Sequence, residues 1–145
     1  MKKLTLAAAL FAALSLAAPA DDSSFTEAFT RGRWQGRLSY KDASGKNRAE
    51  LYELILSPDG ACIVTVSGKE AGADVFQDGD GLWSHDDTFF RLECAFPAPV
   101  FAQIPAIEWT SVYQFSADKS RFTLLVKPYP DAAANIRAAF VRVAD

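Results

Sequence analysis

From residue 32 onward, apolar and polar residues alternate in short runs broken by turn-forming residues, the period of strands buried on one face. The first run sets Trp34, Gly36, Leu38 and Tyr40 against Arg33, Gln35, Arg37 and Ser39. A strand that leads with a large aromatic and then a glycine suits the tight end of a small barrel, where the ring plugs the bottom and glycine lets the chain curl. The second run, about 48–56, closes through Ser57-Pro58-Asp59-Gly60, a hairpin turn in which proline presets the first position and glycine accepts positive φ. If Ser57 and Ala61 flank that turn, Leu56 faces Cys62, Leu54 faces Val64 and Tyr52 faces Val66, with Glu53 and Thr65 on the other face.

The stretch Gly68 to Asp74 reads as a loop, and Val75 to Trp83 as a strand interrupted by a glycine-rich bulge at Asp78-Gly79-Asp80-Gly81. Phe90, Leu92, Cys94 and Phe96 then share a face, followed by Ile107, Trp109, Ser111, Tyr113 and Phe115. A turn at 117–120 pairs Phe115 with Phe122, and 138–143 supplies the last strand. The prediction is an all-β fold, an eight-stranded antiparallel up-and-down barrel. Short turns at Pro58, Asp86 and Asp118 share the Trp34 end, while longer loops around Gly45, Gly68, Pro99 and Pro130 rim a mouth at the other. Residues 97–105 carry three prolines among apolar side chains and cannot serve as a ladder strand.

Composition adds a compartment. Lys2 and Lys3, an apolar run from Leu4 to Leu16 and Ala18-Pro19-Ala20 read as a signal peptide over residues 1–20. The run is too short for a membrane span, which needs roughly 20 apolar residues, and no cysteine follows it to take a lipid. Periplasmic or secreted localisation is expected, with a flexible lead at 21–31, frayed or forming a single helical turn, and one domain at 32–145. Without Lys2 and Lys3, 13 of the 15 basic residues face 18 acidic ones, a formal charge of −5 that disfavours nucleic acid and anionic membranes.

Candidate chemistry is sparse. The one histidine, His85, lies in a tight turn beside Asp86 and Asp87 and reads as a solvated turn residue. The aspartates at 74, 78, 80, 86 and 87 lack the closing glutamate of a calcium loop, so neither metal nor cofactor is expected. Glu53 and Glu93 point outward, and Glu50, the one inward acid, reads as a rim residue, which argues against acid–base catalysis. Two cysteines in an exported chain suggest a disulfide. The meander instead puts Cys62 near the closed end and Cys94 near the mouth with a strand between them, beyond the roughly 7 Å Cα limit, so two buried thiols are expected.

Gly32-Arg33-Trp34 resembles the Gly-x-Trp signature on the first strand of lipocalins and their calycin relatives. In that family the tryptophan plugs the barrel bottom under a basic residue of the last strand, a role the resemblance assigns to Trp34 and Arg142. The pattern from Trp34 through Leu54–Gly60 to Gly81-Leu82-Trp83 is also similar to bacterial lipocalin-like domains, including the N-terminal barrel of copper-resistance lipoproteins. The Cys-x-x-Cys and lipid anchor of those lipoproteins are missing, so copper is not carried over.

The expected function is non-enzymatic binding of a small apolar ligand at the barrel mouth, lined by Tyr40, Phe96 and Ile107 and lidded by Val100, Phe101 and Ile104. The alternative is a protein-binding module, such as an inhibitor of an envelope protease or lysozyme, using the 97–105 loop. A hollow mouth would favour the first, and a filled barrel with a protruding loop the second.

Overall fold

A computed structural model describes residues 25–143. The signal-peptide reading of 1–20 lies outside them. A short helix, α1 (25–30), precedes nine strands: β1 Arg33–Lys41, β2 Asn47–Leu56, β3 Ala61–Glu70, β4 Ala73–His85, β5 Phe89–Ala95, β6 Ala106–Val112, β7 Gln114–Phe115, β8 Arg121–Val126 and β9 Ile136–Val143. The sheet order β6-β5-β4-β3-β2-β1-β9-β8-β7 is an antiparallel meander joined through β1 and β9 into a nearly closed barrel.

Nine strands replace the expected eight because one run breaks at Tyr113. Its hydroxyl donates to the Asp86 carbonyl at 2.6 Å and its N–H to the Thr88 carbonyl at 3.3 Å, which ends β6 and leaves β7 as a two-residue strand. Elsewhere the turn chemistry held the register. Tyr52↔Val66, Leu54↔Val64 and Leu56↔Cys62 pair as expected, and Phe115 faces Phe122.

Two expectations for the third and fourth strands are corrected. Gly68–Asp74 is no long loop: β3 and β4 pair from Ala61↔Leu82 to Glu70↔Ala73 around a two-residue turn with Ala71 and Gly72 both at positive φ. Such a turn matches strand twist, so the hairpin can run on without a break. Nor is there a bulge at the glycines, because β4 is continuous. Gly79 and Gly81 face inward where β5 crosses close, and a Cβ at Gly81 would lie 1.8 Å from the Glu93 carbonyl oxygen.

Gly81 pairs with Cys62 on one side and Cys94 on the other. Cys94 therefore shares a level with Cys62 instead of lying near the mouth. Both are buried free thiols with one strand between them, and burial pushes Cys94 up to about 12.

The closed end is aromatic, and the lead contributes to it. Of the two readings of the lead, the helical turn is the one seen at residues 25–30: these form α1, whose Phe29 is fully buried. Its ring centroid lies 4.7–5.5 Å from those of Phe115, Tyr113, Phe122, Phe90 and Trp83. Trp34 is also fully buried, and its indole N–H donates to the Phe29 carbonyl at 2.8 Å. The Arg142 guanidinium lies 4.7 Å from the Trp34 ring centroid and donates to the carbonyls of Ala28 and Arg31 at 3.0 and 3.2 Å. One arginine thus ties the last strand, the first strand and the helix together.

His85 is not a solvated turn residue. It stacks on Trp83, with Nδ1 2.9 Å from the Asp86 carbonyl and Nε2 2.6 Å from Thr26 Oγ1. A carbonyl only accepts, so Nδ1 carries a proton and donates.

Candidate functional site

The mouth is built from the inward residues of β1, β2 and β4 and from the segment between β5 and β6. That segment folds into the barrel. Phe101 is fully buried and Ile104 nearly so, and Tyr40, Phe96 and Ile107 are buried beneath and beside them. Of the six residues expected to line a ligand site, only Val100 is exposed.

Gln77 fastens the segment. Its side chain is on the inward face of β4, where the ladder to β5 has not yet begun, and its oxygen accepts the Val100 and Phe101 N–H groups at 2.9 and 3.1 Å. Its amide donates to the Ile104 carbonyl at 2.8 Å. Three backbone groups of an apolar loop are thereby satisfied by one buried amide, a condition for burying the loop at all.

A polar cluster closes the rim. The Tyr40 hydroxyl donates to Glu50, Arg48 Nε lies 3.4 Å from Glu50, and Arg48 Nη2 is hydrogen-bonded to Glu70. With the Gln103 amide oxygen facing Arg48, it accepts from Nη2 at 2.8 Å and from Nε at 3.2 Å. The guanidinium also lies 6.0 Å from the Phe101 ring centroid. Glu50 belongs to the rim but is buried in it: it is 2% exposed, and burial raises its carboxyl above the usual range despite the Tyr40 and Arg48 bonds. Burial likewise raises Tyr40, and the bond to Glu50 adds to it. Every polar group here is engaged with another of the cluster, and the arrangement works as a clasp over the filled mouth.

Open space lies on the barrel wall. A polar groove of about 680 Å³ marks the fork where β2 and β3 part beyond Leu51↔Ser67, spanned by the Arg48–Glu70 pair. The second groove, about 620 Å³, lies between β6 and the run from Leu125 to Pro130. No registered pair joins β6 to β8 among the described residues. One side chain bridges them. Ser111 Oγ accepts the Leu125 N–H at 2.8 Å and donates to the Val112 carbonyl at 2.7 Å. On the mouth side of that bridge the groove is floored by Ile107 and Trp109, each 5% exposed, and flanked by Tyr129.

The chain matches no known protein family, curated protein or solved structure. Function therefore rests on this geometry. Ile104 and Ile107, expected at the barrel mouth and lid, are among the residues lining the second groove, whereas the roles of Gln77 and Ser111 were not expected. Counting alternate residues back from Trp83 puts Gln77 on the inward face, and a lone inward amide beside a proline-rich apolar loop is the signal for a staple. Ser111 was placed inward, but its duty depends on where β6 stops, which the turn chemistry does not reveal. Among the described residues no three His, Cys, Asp or Glu side chains converge as a metal site would need.

Proposed function

We propose that the protein is a non-enzymatic binding barrel that engages a protein partner along the open junction between β6 and β8. The observation that carries this reading is the contrast between a filled interior, with Phe101 and Ile104 packed into the mouth, and a neighbouring pair of strands that share no registered pair. Exposed edges of this kind are covered in most barrels, because unpaired backbone groups recruit another strand. The Gly32-Arg33-Trp34 run with Arg142 over the ring supports placing the chain among lipocalin-like barrels, and residues 1–20 support an exported location. Export would put the partner in the cell envelope or outside it.

A small apolar ligand in the same groove is the second reading, favoured by the lining of Ile104, Ile107, Trp109, Val126, Pro128 and Tyr129. The two are separated by a photo-crosslinking amino acid placed at Leu125 beside the groove and, as control, at Ile63 on the wall of β3, both exposed. A discrete adduct of protein size from position 125 alone is expected. Equal adducts from both positions, or none, would sink the partner reading. A mass excess of a few hundred daltons in native mass spectrometry that vanishes on denaturation would favour the small ligand.

A further inference from the structure

We infer that the partner contributes an extended segment that pairs as an added strand with the free edge of β6; this rests on the partner-binding reading above. The phase of the ladder fixes which backbone groups are on offer. The Phe96 N–H bonds the Pro105 carbonyl and the Tyr113 N–H bonds the Thr88 carbonyl at the two ends of the β5–β6 pairing. Antiparallel pairs alternate between bonded and non-bonded, so Ile107, Trp109 and Ser111 turn their N–H and C=O toward β5. Ala106, Glu108 and Thr110 turn theirs toward the junction.

The facing strand is phased the same way. The Ser116 N–H bonds the Arg121 carbonyl and Gln114 pairs with Thr123, so Leu125 also faces the junction, as its bond to Ser111 shows. Among the described residues no backbone bond crosses from β6 to β8. Six main-chain groups on β6, three donors and three acceptors, therefore line a span of roughly 14 Å, the length of a five-residue strand.

The floor argues for a backbone ligand over an apolar one. Ile107 and Trp109 are already packed and bare little surface of their own, and the lining of the groove is mixed, apolar side chains beside the backbone polar groups of β6. An acyl chain would leave those groups unpaired, whereas an extended peptide satisfies them while its alternate side chains lie over the floor. Charge disfavours a second copy in the centred register. Two β6 edges paired about a two-fold axis at Glu108 would set one Glu108 against the other, and like charges directly opposite are destabilising. The partner segment is thus one with apolar residues at alternate positions and a lysine or arginine outward, opposite Glu108.

The test is selection of a displayed random heptapeptide library on the full protein, followed by calorimetry with the enriched peptides. Alternating apolar sequences carrying a basic residue are expected. Thr110→Pro removes a junction-facing donor without touching a β5 bond, a position where edge strands tolerate proline, and should weaken binding at least tenfold. N-methylation of alternate peptide residues should do the same to the unaltered protein, independently of any folding defect in the proline variant. Thr110→Val, which keeps the backbone donor, should bind as the parent does.

Peptides that protect Glu108 and Thr110 from hydrogen exchange yet are indifferent to both backbone changes would overturn strand addition and leave the partner reading standing. No enrichment, protection on another face, or a dimer that occupies the junction would overturn both.

Discussion

Replacing Phe29 by alanine asks whether a six-residue helix is part of the barrel or an appendage. The ring is fully buried, with five aromatic rings of four strands and the 113 linker centred within 5.5 Å of its own. Strands tied into a sheet cannot collapse into the space it leaves, so the upper part of the usual range for buried phenylalanine truncation applies, about 4–5 kcal/mol. Against a total of about 5–15 kcal/mol for a domain, that is a large share. At about 3–5 °C per kcal/mol for a chain of this length, the melting temperature should fall by about 12–25 °C.

The assay is urea denaturation followed by tryptophan fluorescence, with the m-value held as a check that the unfolding reaction is unchanged. A second substitution sharpens it. Trp34→Phe removes the indole donor to the Phe29 carbonyl. Alone it should cost about 1 kcal/mol. In the Phe29→Ala background, where the helix has lost its anchor, the cost should shrink, giving a coupling of about 0.5–1 kcal/mol. A Phe29→Ala loss below 1 kcal/mol with an unchanged m-value would refute the view that α1 closes the barrel.

Gln77→Ala should free the loop at 97–105 without unfolding the barrel: faster hydrogen exchange at Val100 and Phe101 and new proteolytic cuts are expected, and unchanged exchange would remove the staple. Glu50 is held above the usual carboxylate range by burial, so the native state keeps its proton where the unfolded chain has released it. Its contribution is full below the unfolded value and is lost as pH rises through the raised folded value; Glu50→Gln should flatten that decline in a stability–pH curve. Asp118, exposed and held down to about 2 by the Ser120 and Ser116 hydroxyls and the Ser120 N–H, acts in the opposite sense, its contribution being lost as pH falls toward 2. Gly81→Ala should cost more than 3 kcal/mol or prevent folding, because its Cβ would meet the Glu93 carbonyl at 1.8 Å, whereas Gly72→Ala, at φ +82 in open space, should cost about 1 kcal/mol. Equal costs in a denaturation series would show that the β4–β5 approach is not tight.

Local chemistry made the strands legible. Pro58 and Gly60 fix a turn, and the turn fixes six paired side chains, so the β2–β3 register could be read without any tertiary knowledge. What could not be read depends on distant partners. Gly68–Asp74 is small and polar like a loop, and only the long ladder on both flanks makes it a tight hairpin with Ala71 at positive φ. Cys94 was misplaced because the continuous path of β4 decides its level, and glycines in sequence signal a break more often than a strand pressed against its neighbour. At the mouth, Phe101 and Ile104 have the composition of an exposed lid. Their burial hinges on Gln77 and Gln103, two amides far apart in the chain.

The join between β1 and β9 has a kinetic consequence. Among the described residues Arg33↔Val143, Trp34↔Arg142 and Gln35↔Val141 are in register there, and the Arg142 clamp and the close approach of Phe140 to Gly36 add to the meeting of the two ends. Bringing together points about 110 residues apart costs on the order of 4 kcal/mol of chain entropy, incurred before those few contacts exist to offset it. Every other registered pair of strands is linked directly by a connection of two to ten residues, so this join is the natural last ladder to form. A peptide link between residues 25 and 143, with new termini cut at the exposed Gly45 turn, would make that slowest contact local.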